Sequence, residues 1–96
     1  MLTIKELFRN SAVYGGREVE VNGWVRTIRD SKALGFIELN DGTFFKTLQI
    51  VFEEGKVDNF KEICKIGAGS GISCKGELVL TPEAKQPFEI HAHEIT

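Results

Sequence analysis

Phe36 and Gln49 have the side-chain types that read an unpaired nucleobase. An aromatic ring is a stacking platform worth about 1 to 3 kcal/mol per base. A primary amide sets a hydrogen-bond donor beside an acceptor, as the edge of a pyrimidine requires. Arg26 and Arg29 add guanidinium groups able to pair with phosphate or to stack on a base. Each residue also has an ordinary reading: a phenylalanine packed beneath a loop, a solvated glutamine, two surface arginines. His91-Ala92-His93 puts two imidazoles on one strand face, half of a metal site, and no further ligands stand close to it in sequence. Gly67-Ala68-Gly69-Ser70-Gly71 resembles a phosphate cradle but lacks the preceding strand, the following helix and the lysine that such loops need, so it is expected to be a flexible connection. Cys64 and Cys74 are too few for a zinc site and read as small core residues. No nucleophile elbow, P-loop or acid-base pair is present, and no catalytic residue, cofactor site or metal site is expected within these residues.

What must position Phe36 and Gln49 follows from hydrophobic period. Thr3 and Glu6, three apart ahead of Leu7-Phe8, form the capping-box pattern of a short helix, and Gly15-Gly16 ends that segment. From Arg17 to Arg29 the period is two, with Val19 and Val21 alternating with Glu18 and Glu20, and Gly23 is the place for the strand to bend or bulge. A second strand spans Gly35 to Asn40 with Ile37 and Leu39 on one face and Phe36, Glu38 and Asn40 on the other. Asn40-Asp41-Gly42 is a turn signal, and a third strand from Thr47 to Phe52 puts Leu48, Ile50 and Phe52 on one face against Thr47, Gln49 and Val51. With the aliphatic faces inward, Phe36 and Gln49 both project outward, Gln49 across from Phe36.

Between Val57 and Lys65 the period becomes helical, with Val57, Phe60, Ile63 and Cys64 as the apolar stripe and Gly67 as the stop. Ile72 to Leu80 reads as a fourth strand, 81–87 as a loop with two prolines, and Phe88 to Ile95 as a fifth strand. Three strands, a helix and two strands is the chain order of an OB-fold, an all-β, five-stranded Greek-key barrel with small α content: here a short N-terminal helix and a helix between strands three and four. The face of strands two and three in that fold binds oligonucleotides.

Length and charge narrow the partner. Ninety-six residues with 42% hydrophobic content suffice for one domain, 1–96. No apolar run reaches signal-peptide or membrane-spanning length, so a soluble, cytoplasmic protein is expected. A net charge of −2 argues against coating nucleic acid, since phosphate neutralisation is the sequence-independent part of that affinity. All the arginines, Arg9, Arg17, Arg26 and Arg29, lie in the first third of the chain, as suits a module reading a few nucleotides and equally an ordinary mixed surface.

The run Gly23-Trp24-Val25-Arg26-Thr27-Ile28-Arg29-Asp30-Ser31-Lys32, continued by Gly35-Phe36-Ile37-Glu38-Leu39, Asp41-Gly42-Thr43, Leu48-Gln49 and Phe88-Glu89-Ile90, closely resembles the N-terminal domain of bacterial-type asparaginyl-tRNA synthetases over nearly the whole chain. The aspartyl and lysyl enzymes share the barrel and a similar first strand. In this subgroup the barrel binds the anticodon loop and recognises its central uridine. The resemblance implies that Phe36 stacks on a base, that Gln49 hydrogen-bonds the central base, that Arg29 is the matching strand-one arginine, and that Glu89 lies near another anticodon base. Arg26 has no consistent match and remains a weaker candidate. It further implies a homodimeric parent, a class II ligase that uses ATP and Mg in a catalytic domain beyond these residues, so that this piece would be non-catalytic and bind the tRNA(Asn) anticodon loop. The alternatives are the anticodon domain of the aspartyl or lysyl enzyme, a generic single-strand-binding OB module, and a protein-interaction barrel anchored by Phe36.

Overall fold

The computed structural model describes residues 2–84 and 86–96; Met1 and Lys85, the latter inside the expected 81–87 loop, lie outside the described residues. In chain order the elements are α1 (Ile4–Arg9), α2 (Ser11–Tyr14), β1 (Glu18–Ser31), β2 (Leu34–Asn40), β3 (Leu48–Glu53), α3 (Phe60–Cys64), β4 (Gly71–Leu80) and β5 (Phe88–Ile95). The strands close into a barrel in the order β1-β2-β3-β5-β4. All pairings are antiparallel except that of β3 with β5. This is the expected five-stranded OB-fold barrel.

Closure depends on β1, which is long enough to serve two neighbours. Its first half, Glu18 to Trp24, pairs with β4, and its second half, Trp24 to Ser31, pairs with β2. The bulge lies between Val25 and Thr27, at Arg26, rather than at Gly23, which stays in unbroken register with Ile72. Gly23 has a different reason to be small: a Cβ there would sit 2.4 Å from the carbonyl oxygen of Asn40. One residue without a partner turns the strand from one side of the barrel to the other.

Strand alternation fills the interior. Val19, Val21, Val25, Ile37, Leu39, Leu48, Ile50, Phe52, Cys74, Leu78, Phe88 and Ile90 are all buried. Cys74 belongs to this core, and burial pushes its thiol up to about 12. Cys64 is half-buried; burial first, then the nearby carboxylates of Asp30 and Glu54, push its thiol up as well. Two helices seal the core, α1 with Ile4 and Leu7 and α3 with Phe60 and Ile63. The α3 helix is shorter than the apolar stripe from Val57 suggests. Asn59 is held at φ −119° and ψ 42°, outside helical geometry, while its amide donates to the Ile95 carbonyl at 3.1 Å. Val57 is nevertheless buried, so the stripe identifies the packed face correctly.

The N-terminal helix is tied down from both sides. Thr3 Oγ1 accepts from the Glu6 N–H at 3.1 Å, the cap its sequence predicts. From the β2–β3 connection, Asp41 Oδ2 accepts from the Ile4 N–H at 2.9 Å, while Asp41 Oδ1 accepts from the Thr43 N–H and hydroxyl at 3.0 and 2.6 Å. Partial burial alone would raise the Asp41 carboxyl, but the hydrogen bonds from Thr43 and Ile4 outweigh it and hold the group below its ordinary 3.8. A lowered carboxyl stabilises the fold above its unfolded value and loses that contribution as pH falls through its folded value. Asp41→Ala is therefore expected to lower stability by about 1 to 2 kcal/mol at neutral pH. In urea melts, the gap between the two proteins should narrow as the pH is taken toward 3; a constant gap would show that the charged cap contributes nothing.

Candidate nucleic-acid interface

The outer face of the barrel is set by what must point inward. Gly35 pairs with Phe52, whose ring would lie 2.1 Å from any Cβ at position 35. With Gly35, Ile37 and Leu39 inside, the alternation of β2 turns Phe36 and Glu38 out. Arg29 and Val51 are the partners of Phe36 on β1 and β3, and Thr27 and Gln49 are those of Glu38. From β5, His91 is in register with Val51, which sets Glu89 beside Gln49 on the same face. The structure thus brings Phe36, Gln49, Arg29 and Glu89 onto one continuous surface.

Gln49 lies diagonal to Phe36 rather than across from it, because Phe36 faces Val51 and Gln49 faces Glu38. Such a diagonal separates the two side-chain origins by about 7 to 8 Å, enough to hold a ring on one and reach its edge with the other. Val51, 9% exposed although outward, is the apolar floor between Phe36 and His91. The Arg29 guanidinium carbon lies 5.2 Å from the Phe36 ring centroid, a cation–π contact. Its charge therefore rests against the ring.

A hydrogen-bonded row crosses from β3 to β5. Gln49 Nε2 donates to Glu89 Oε2 at 2.9 Å, and Glu89 Oε1 lies 3.0 Å from His91 Nε2. This row was not foreseen, although the period-two parity of β5 already sets positions 89, 91 and 93 on the outer face. Trp24, 45% exposed and paired with Asn40, is another outward aromatic on the same sheet that its sequence position did not single out.

The remaining candidates fall elsewhere. Arg26 is the bulged residue, exposed, with no side-chain hydrogen bond or ion pair among the described residues. His93 contacts Glu18 and His91 contacts Glu89, and among the described residues no group of three metal-ligating side chains gathers. The Gly67–Gly71 segment is not a free loop. Gly69 N–H donates to the Val25 carbonyl at 2.6 Å and the Ser70 carbonyl accepts from Val25 N–H at 2.8 Å, so the segment extends the β1–β4 pairing. Backbone groups engaged in this way do not form an ATP-phosphate cradle.

A five-stranded barrel of this closure is an OB-fold, a class whose face of strands two and three binds oligonucleotides. Residues 19–96 match the tRNA anti-codon family, an OB-fold nucleic acid binding domain, and the chain belongs to that family. Among its relatives, asparagine–tRNA ligase of Acetivibrio thermocellus is 64% identical over 92 residues, which cover 96% of this chain and 20% of that protein. The asparagine–tRNA ligase of Clostridium acetobutylicum is 60% identical over 93 residues, 97% of this chain and again 20% of the ligase. The chain thus spans about a fifth of the length of these aminoacyl-tRNA synthetases. Asparaginyl-tRNA synthetase from Pyrococcus horikoshii, solved with asparaginyl-adenylate, shares the fold with a TM-score of 0.84 at 22% identity, over 99% of this chain and 21% of that one.

Because Phe36 is outward and Phe52 is fully buried, the two rings should differ in what they contribute to stability. Phe52→Ala is expected to destabilise the barrel by about 3 to 5 kcal/mol. Phe36→Ala should change stability by less than about 1 kcal/mol, the scale of surface substitutions with a lost cation–π contact. Thermal melts of the two variants check this, and a large loss from Phe36→Ala would place that ring in the core.

Proposed function

We propose that the outer face of β1, β2, β3 and β5 binds the anticodon loop of tRNA(Asn). The observation that supports this reading best is the placement of Phe36 and Gln49 on one surface, at a spacing suited to one nucleotide. A base of the loop stacks on Phe36, displacing the Arg29 guanidinium from the ring toward a neighbouring phosphate. That exchange gives up a contact worth about 0.5 to 1 kcal/mol at an exposed site and gains base stacking worth about 1 to 3 kcal/mol. Gln49 hydrogen-bonds the edge of the central uridine. Glu89 accepts from a donor on an adjacent base, and Arg26, exposed on the bulge, adds a further phosphate contact.

In this reading the barrel serves a homodimeric, cytoplasmic asparagine–tRNA ligase whose catalytic part, with its ATP and Mg, lies outside these residues. The barrel itself supplies no chemistry. Its contribution is discrimination: a cognate anticodon binds with its edge groups paired, and a mismatched one leaves buried polar groups without partners. Its 64% and 60% sequence identity to two asparagine–tRNA ligases over nearly the whole chain supports that assignment over the aspartyl and lysyl enzymes.

The experiment is a fluorescence titration with a stem-loop bearing GUU, beside the same loop with its central uridine replaced. Preference for GUU is expected, with Phe36→Ala weakening binding by about 1 to 3 kcal/mol. With about three phosphate contacts, the slope of log affinity on log salt should be about −2. Equal affinity for both loops would make this a generic single-strand module; a much steeper slope would mean that binding is mainly a backbone grip.

A further inference from the structure

A glutamine amide is ambiguous as a reader. Presented one way, its carbonyl oxygen meets the N3–H of uracil while an amide hydrogen meets a uracil carbonyl. Turned over, the same group offers a hydrogen to N3 of cytosine and an oxygen to the N4 amine. An unconstrained glutamine therefore accommodates both pyrimidines, and something beyond Gln49 has to decide between them.

In this structure Gln49 is held by Glu89, and Glu89 in turn by His91. As a carboxylate Glu89 only accepts, so the group of Gln49 that lies 2.9 Å from its Oε2 must be the amide nitrogen. The same logic fixes His91, whose Nε2, 3.0 Å from Oε1, must carry the hydrogen. Each Glu89 oxygen is thereby committed to one donor, and the carboxylate is bracketed between β3 and the next outward position of its own strand. Gln49 Oε1 takes no partner among the described residues and remains for a ligand, with the second amide hydrogen beside it. Turning the amide over would set its oxygen against the carboxylate, exchanging a charge-assisted hydrogen bond for a repulsion.

We infer that Glu89 and His91 are positioning residues that hold the Gln49 amide with its oxygen toward the ligand, so that the site selects a base with an N–H at the ring edge, uracil, over cytosine. The inference rests on Gln49 being the residue that meets the central base. It assigns Glu89 a role beyond any contact of its own with RNA, and it gives His91 a function through Glu89.

Substitution at position 89 makes a sharp prediction. In Glu89→Gln, the new side chain is unchanged in size but no longer only accepts. If His91 keeps its hydrogen bond, the oxygen of residue 89 faces His91 and its amide faces Gln49, which then turns its own oxygen inward and its NH2 toward the ligand. Selectivity between pyrimidines should fall away or reverse while the barrel and the stacking ring are untouched.

The test uses the full chain and two stem-loops, with U or C at the central anticodon position. The unsubstituted protein is expected to favour U about ten- to one-hundred-fold, the range for one hydrogen bond to a charged group. Glu89→Gln should bring that ratio to about one or below, with binding to the C loop strengthened. His91→Phe should lower the ratio in part, and His91→Gln, which keeps a donor for Glu89, should restore it. A structural check needs no RNA: Gln49 and Gln86 are the two glutamines of the chain, so glutamine-selective 15N labelling resolves the Gln49 side-chain signals. One of its hydrogens should be shifted downfield by the carboxylate, and the shift should vanish in Glu89→Gln. Binding that persists with an unchanged U-to-C ratio in Glu89→Gln overturns the positioning role and leaves anticodon reading intact. Unchanged affinity for both loops in Gln49→Ala, or no binding of either loop by the unsubstituted protein, overturns the reading beneath it as well.

Discussion

The ring of Phe52 occupies the space where a side chain on Gly35 would be, and much of the proposed function follows from that exclusion. A strand with glycine, isoleucine and leucine committed to the interior at alternate positions has no freedom in the remaining ones. Phe36 and Glu38 must face out, and the registers with β1 and β3 then decide their neighbours: Arg29 and Val51 for the first, Thr27 and Gln49 for the second. A slip of one residue would bury Phe36 and Gln49 and turn Ile37 and Ile50 to solvent. The core and the binding face are therefore two sides of one constraint, and the barrel cannot lose one register without losing both.

Electrostatics set the manner of binding. The face carries Glu38 and Glu89 as well as Arg29, and the whole chain has a net charge of −2, so a long phosphate backbone finds little to hold. A module of this kind gains affinity from stacking and gains discrimination from edges whose partners are already oriented. In the proposed reading the Gln49–Glu89–His91 row orients them before RNA arrives, which avoids ordering flexible side chains on binding. The Asp41 cap plays a comparable part in the scaffold, since it fastens α1 to the connection that leads into β3 and Gln49.

Much of this was legible in the sequence because period-two patterns are strong in β2, β3 and β5, where aliphatic residues alternate with polar ones. From that pattern come the chain order of strands and the outward direction of Phe36 and Gln49, while Cys74, on β4, reads as core because two cysteines are too few for a zinc site. Lateral offset was not legible: alternation fixes a face but not which residue stands opposite which, so the diagonal relation of Gln49 to Phe36 needed the register. Neither was the bulge at Arg26, since Gly23 is the more conspicuous signal although its smallness answers to the Asn40 carbonyl. The shortened α3 depends on a long-range hydrogen bond from Asn59 to Ile95, which no local pattern records. The Glu89–His91 contact is local, two residues apart on one strand, but its meaning appears only when Gln49 is brought alongside from forty positions earlier.

The measurement that tests the central claim most directly is mapping of backbone amide shifts in 15N-labelled protein as a GUU anticodon stem-loop is added. The largest changes should gather at Arg29, Phe36, Glu38, Gln49, Val51 and Glu89, with α3 and the β1–β4 pairing near Asn22 and Ser73 left nearly still. Changes centred on that opposite side of the barrel, with Phe36 and Gln49 unmoved, would contradict the account.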